Sequence, residues 1–159
     1  FLTEMRHRGL RPDAVSFSAA IAACEKRKQW QHALRILSEM GLDRVDPDVI
    51  CYSAGISACE KGGQPMMAME ILRDMRRQRL APDVITCSAL ISACERSRRP
   101  DLAMGLLGDM RRWHLEPDVV AYGALLGACE KGSCPGSALE LMPEMQRQGV
   151  AWALSLRRK

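Results

Sequence analysis

Residues 47–83 read PDVICYSAGISACEKGGQPMMAMEILRDMRRQRLAPD, a stretch that opens and closes on the same Pro-Asp pair. Behind the first pair, Tyr52, Gly55, Ile56 and Cys59 lie three, four and seven positions apart, the spacing of one helix face. Gly62-Gly63-Gln64-Pro65 then breaks the pattern, and Pro65 suits the first turn of a new helix, where its missing N–H has no partner to lose. A second stripe follows in Ala68, Met69, Leu72 and Met75, with a small alanine that lets the partner helix come close. The closing Pro82 ends this helix, because proline disfavours helical geometry in the residue before it and cannot donate to the ladder. The stretch is therefore expected to be a helical hairpin.

The same hairpin recurs. Pro12-Asp13, Pro47-Asp48, Pro82-Asp83 and Pro117-Asp118 are each 35 residues apart. Cys24, Cys59, Cys94 and Cys129 keep that period, as do Glu25, Glu60, Glu95 and Glu130; Ala33, Ala68, Ala103 and Ala138; and Met40, Met75, Met110 and Met145. The repeat divides the chain into residues 1–13, the second helix of a truncated unit; four units at 14–48, 49–83, 84–118 and 119–153; and a basic tail at 154–159. One 35-residue hairpin buries too little apolar surface to fold alone, so the units must stack. The expected fold class is all-α, an α-solenoid of stacked helix-turn-helix repeats.

Composition agrees. In 159 residues, 47% are hydrophobic and 26% charged, enough for a packed core and unlike a disordered chain. Aromatics at 4% and ten methionines favour helix over β-sandwich. The formal charge of +4 excludes a histone-like polycation, and no apolar run approaches the roughly 18 residues of a membrane span. Seven cysteines with no C-x-x-C pair fit a reducing compartment. The opening FLTEMRHRGLRPD has no signal-peptide pattern, so the native start and further repeats are expected outside this chain.

The buried stripe leaves a second face on each first helix, formed by the second, fifth, ninth and thirteenth residues of a unit. The second is Val15, Ile50, Ile85 and Val120; the fifth is Ser18, Ser53, Ser88 and Gly123. The ninth is Ala22, Ser57, Ser92 and Gly127, and the thirteenth is Lys26, Lys61, Arg96 and Lys131. Such rungs could hold flat bases between aliphatic side chains, offer a hydroxyl to each, and keep a cation near each phosphate. Four phosphate contacts would give a log–log salt slope near about −3. A glutamate precedes each of these cations, so a solvated mixed-charge surface is the plainer alternative.

DVICYSAGISACEKGG at 48–63 and ALELMPEMQRQGV at 138–150, repeated at a 35-residue period with Pro-Asp closures, resemble the pentatricopeptide repeat (PPR) family in its plain 35-residue form. The W-x-x-L-G-x-x-Y signature of the 34-residue tetratricopeptide repeat is absent. The resemblance implies sequence-selective binding of single-stranded RNA, one base per repeat, in organellar RNA processing, stability, editing or translation in a mitochondrion or chloroplast. It implies that the fifth and last residues of a unit select a base: Ser18 with Asp48, Ser53 with Asp83, and Ser88 with Asp118. It further implies that Val15, Ile50, Ile85 and Val120 sandwich the bases, with Lys26, Lys61, Arg96 and Lys131 toward phosphates. A hydroxyl residue paired with a final aspartate favours guanine in the family's code, so three consecutive guanines are expected, the chain's N-terminus toward the RNA 5′ end. The fourth unit departs, with Gly123 and Ala153 at its selecting positions, and is expected to read nothing. The alternative function is a scaffold that binds an extended peptide.

No enzymatic activity, cofactor, metal, membrane or small-molecule substrate is expected. His7, His32 and His114 share no carboxylate or serine constellation, and the P-C-x-x-C element that a zinc deaminase needs beside its H-x-E is missing. The aligned cysteines are expected in the core, since stacked equivalent residues lie roughly 8–10 Å apart, too far to share a zinc ion. Pro143, inside a second helix, is expected to fray or kink it, and Gly41 to stop its helix a turn early.

Overall fold

A computed structural model describes residues 2–147 and 149, and every regular element among them is α-helical. The helices are α1 (Leu2–His7), α2 (Ala14–Lys26), α3 (Trp30–Leu42), α4 (Val49–Lys61), α5 (Pro65–Arg77), α6 (Val84–Arg96), α7 (Pro100–Arg112), α8 (Val119–Lys131) and α9 (Pro135–Arg147). Ala153 and the tail 154–159 lie outside the described residues.

Each first helix starts on the aspartate of a Pro-Asp pair. Asp13, Asp48, Asp83 and Asp118 have extended backbones, and their carboxylates accept the N–H of Ser16, Cys51, Thr86 and Ala121, each at 2.8 Å. This satisfies one of the donors that a helix start leaves orphaned. α5 and α7 instead begin with proline in the first turn, Pro65 and Pro100. The first helices end on a left-handed residue: Gly63 (φ 67°) after α4, but Lys28 (57°), Arg98 (54°) and Ser133 (57°) at the equivalent places. The next N–H then reaches back five residues, as from Gln29 to Cys24 and from Arg99 to Cys94, both 2.9 Å. Glycine fills the left-handed position in one of these four turns, yet all four form.

The chain divides into two compact units, Phe1–Pro82 and Asp83–Lys159. In the first, α2 packs on α3 and α4 on α5 as hairpins, the first helices α2 and α4 lie side by side, and α3 also packs on α4. Its core joins Phe17, Ile21 and Cys24 of α2 to Ala33, Ile36 and Met40 of α3 and to Cys51 and Ala58 of α4. In the second unit α6 pairs with α7 and α8 with α9, α6 lies against α8, and α7 packs on α8. Leu90, Ile91, Leu106, Leu107, Met110, Tyr122 and Leu125 are fully buried there.

Two expectations are corrected. Gly41 does not shorten its helix: α3 runs to Leu42, 13 residues like its counterparts α5 and α7. Nor does Pro143 interrupt α9, which is helical from Pro135 to Arg147. The carbonyl that Pro143 leaves without an amide belongs to Leu139, itself 71% exposed, so water can take the bond.

Second helices are tied to one another by long side chains. Arg6 of α1 donates to Glu39 of α3 (3.2 Å) and to Asp43 just past the end of α3 (2.7 Å), and in the second unit Arg111 of α7 pairs with Glu144 of α9. Gly41 occupies the equivalent place on α3, and Asp74 of α5 turns instead to Arg77 in its own helix, at 2.6 Å. A Cβ at Gly41 would meet nothing within 4 Å. Gly41→Arg is therefore expected to stabilise the protein by about 1 kcal/mol through helix propensity, plus a few tenths from a pair with Asp74. Thermal melts should rise by about 2–4 °C, and Gly41→Ala separates the two contributions.

Cys24, Cys51, Cys59, Cys87, Cys94 and Cys129 are buried, while Cys134 is half-buried. Burial pushes the thiols of Cys51, Cys59 and Cys94 up to about 11 and that of Cys87 to about 12. Among the described residues no three ligating side chains gather. With a thiol reagent at pH 8, one equivalent should react promptly and six only after denaturation; a second prompt equivalent would place another cysteine at the surface.

Candidate nucleic-acid interface

The first helices carry both a buried and an exposed stripe, because 13 residues at 3.6 per turn present distinct faces. At the second position of each, Val15, Ile50, Ile85 and Val120 are 73%, 67%, 74% and 47% exposed. Packing does not account for four aliphatic side chains held in solvent at the same place. One turn on, Ser18, Ser53 and Gly123 are partly exposed, whereas Ser88 is nearly covered at 5%.

Ser88 meets the residue with which it was paired on sequence grounds. Ser88 Oγ of α6 donates to Asp118 Oδ1 at the start of α8, 3.0 Å away. That same oxygen accepts the Ala121 N–H that caps α8, which leaves Oδ2 uncommitted on an exposed residue. In the first unit Ser18 Oγ turns to its own helix, donating to Val15 O at 3.1 Å, and does not bond Asp48, whose Oδ1 caps Cys51. Ser53 is half-buried on α4, and Asp83 caps α6 with Thr86 donating both its N–H (2.8 Å) and its hydroxyl (2.7 Å). Asp13 is held the same way by Ser16, whose hydroxyl and N–H keep its carboxyl below the ordinary range.

The cationic rung is not uniform. Lys26 is exposed, but Lys61 Nζ is bonded to Glu25 Oε1 (2.7 Å), and Lys131 Nζ to Glu95 Oε1 (2.7 Å). Ser57, the ninth residue of its unit, also donates to Glu25 at 2.9 Å. Burial alone would push Glu25 up, but the bonds from Lys61 and Ser57 outweigh it and hold the carboxyl below its usual range. The reach of these glutamates to the next repeat, and the capping role of the aspartates, are what sequence reading missed. Both had a signal: aspartate directly before a periodic apolar run marks a helix start, and Glu-Lys or Glu-Arg recurs at the end of every first helix.

A family model described as the pentatricopeptide repeat domain matches residues 1–61 and 70–131, and a PPR repeat model matches 50–80 and 120–150. The chain belongs to the pentatricopeptide repeat family. Its backbone superposes on the crystal structure of PPR10 from maize with a TM-score of 0.76 at 28% identity, covering 94% of this chain and 21% of that one. PPR10 in complex with an 18-nt psaJ RNA element gives 0.71 at 24% identity, covering 93% and 25%. The PPR domain of Arabidopsis thaliana protein-only RNase P 1, solved in complex with tRNA, gives 0.80 at 15% identity, covering 92% and 77%. No curated protein gives a significant sequence match. The chain thus spans about a fifth of PPR10, and its fold class is the helical-repeat solenoid of these PPR proteins.

Proposed function

We propose that this PPR chain binds single-stranded RNA along the exposed face of its first helices, with one base per repeat and no chemical step. The observation that carries the reading is the Ser88–Asp118 bond: the fifth residue of one repeat and the closing carboxylate meet at 3.0 Å, beside exposed Ile85 and Val120. A carboxylate oxygen there can accept from the N1–H and N2–H of guanine, directly or through water, and adenine presents no such pair of donors. Exposed aliphatic side chains on either side supply flat contact for the base. PPR10 in complex with an RNA element, and the tRNA complex of a second PPR domain, support RNA as the ligand class. The family resemblance supports an organellar transcript.

Base selection is proposed for Ser18 with Asp48, Ser53 with Asp83 and Ser88 with Asp118, each favouring guanine, and base sandwiching for Val15, Ile50, Ile85 and Val120. Each stacked base contributes on the order of 1–3 kcal/mol before losses in ordering the strand, so three reading repeats give weak binding. The test is a titration with short G-rich, A-rich and U-rich RNA at fixed salt. Tightest binding to the G-rich strand is expected. Equal binding to all three removes base selection, and binding of none removes RNA as the ligand.

A further inference from the structure

Glu25 and Glu95 sit at the twelfth position of their repeats, and each reaches the thirteenth residue of the next repeat, 36 positions on. The two clasps are built on different surroundings. In the first unit Ser57 Oγ joins Lys61 on Glu25 Oε1. In the second Gly127 stands where Ser57 would be, and the Glu95 carboxylate lies against the bare backbone, 2.5 Å from where a Cβ would fall. Independent arrangements with one outcome indicate that the ion pair belongs to the repeat rather than to an accident of one neighbour.

The lysine side chains remain 36% and 49% exposed, so water and ions reach the bonds. A pair this exposed holds together by only about 0–1 kcal/mol, but a phosphate that took the ammonium would also face the adjacent carboxylate, whose like charge repels it. A free lysine on this face would attract any polyanion without regard to base, because phosphate contacts carry no sequence information. A lysine already neutralised adds little to that background attraction.

We propose that Glu25 and Glu95 mask Lys61 and Lys131 from the nucleic-acid backbone, so that these carboxylates restrain sequence-independent binding and leave selection to the bases. The proposal rests on the RNA-binding reading above. It narrows the simple phosphate role expected of the cationic rung: Lys61 and Lys131 are engaged within the protein, and the salt slope of the native chain is expected to be shallower than about −3.

The test compares the native chain, Glu25→Gln, Glu95→Gln and the double variant on G-rich and A-rich RNA at 50 and 200 mM salt. Each unmasked lysine adds about −0.7 to the slope, so the double variant should be steeper by about 1.4. Its advantage over the native chain should therefore grow about 7-fold between 200 and 50 mM salt. Affinity for A-rich RNA should rise as much as for G-rich RNA. Lys61→Gln with Lys131→Gln should change native binding little but abolish the gain in the glutamine background. Circular dichroism and melting of each variant identify unfolded protein, and the single variants serve if the double does not fold. Native binding with an unchanged slope in the glutamine variants, or a full loss from the lysine changes alone, overturns the masking role and leaves the RNA reading intact. A native chain that binds no RNA overturns both.

Discussion

Phe17→Ala is expected to lower the free energy of unfolding by about 3–5 kcal/mol, a large share of the 5–15 kcal/mol typical of a folded domain. Phe17 is fully buried in α2, in one cluster with Ile21, Ala33, Ile36 and Met40, and it joins the first helix of its repeat to the second. Removing the ring deletes apolar contact and leaves a cavity that helices fixed by their neighbours cannot close. Stability in a repeat array is a sum of local terms, so the loss should concentrate in the hairpins that touch residue 17. Urea denaturation measures the total, and amide exchange should accelerate most across α2 and α3. A loss below about 1 kcal/mol would mean that the ring is not part of a rigid core.

Asp118→Ala should have the largest functional effect. Its carboxylate caps α8 through Ala121 and holds Ser88, so alanine removes a cap at a cost of about 0.5–2 kcal/mol and frees the serine hydroxyl. If this carboxylate receives guanine, the preference for G over A at that base should fall by about 10- to 150-fold, the 1.5–3 kcal/mol of a charged hydrogen bond. Asp118→Asn separates the roles, because asparagine caps a helix about as well as aspartate. It should melt near the native temperature yet lose the preference, as read by binding to RNAs that differ at one position. Retained discrimination in both variants would move base selection away from residue 118.

Much of this was legible in the residues. A strict 35-residue period, stripes such as Tyr52, Gly55, Ile56 and Cys59, and the prolines at 65 and 100 place the helices because helix geometry is local and repeats itself. The exposed row of Val15, Ile50, Ile85 and Val120 follows from the same periodicity. Where local rules competed with packing, packing prevailed. Gly41 and Pro143 are helix breakers by propensity, yet α3 and α9 continue through them, because the flanking turns are held by side chains such as Met40 and Met145 in the core. Lys28, Arg98 and Ser133 take the left-handed turn that glycine takes at 63, since the return of the chain into its hairpin requires that conformation whichever residue is present.

Helix positions and the faces they present depend on neighbours within a few residues along the chain, and so the all-α repeat and its buried and exposed stripes are written in sequence order. Which polar groups meet depends on neighbours some 30 to 36 positions away. Packing alone decided that Ser88 reaches Asp118 while Ser18 bonds to its own helix, and that Glu25 and Glu95 hold Lys61 and Lys131. A hydroxyl or an ammonium takes the nearest well-aligned acceptor, and differences of about an ångström between stacked helices, invisible in a repeating motif, determine which acceptor that is.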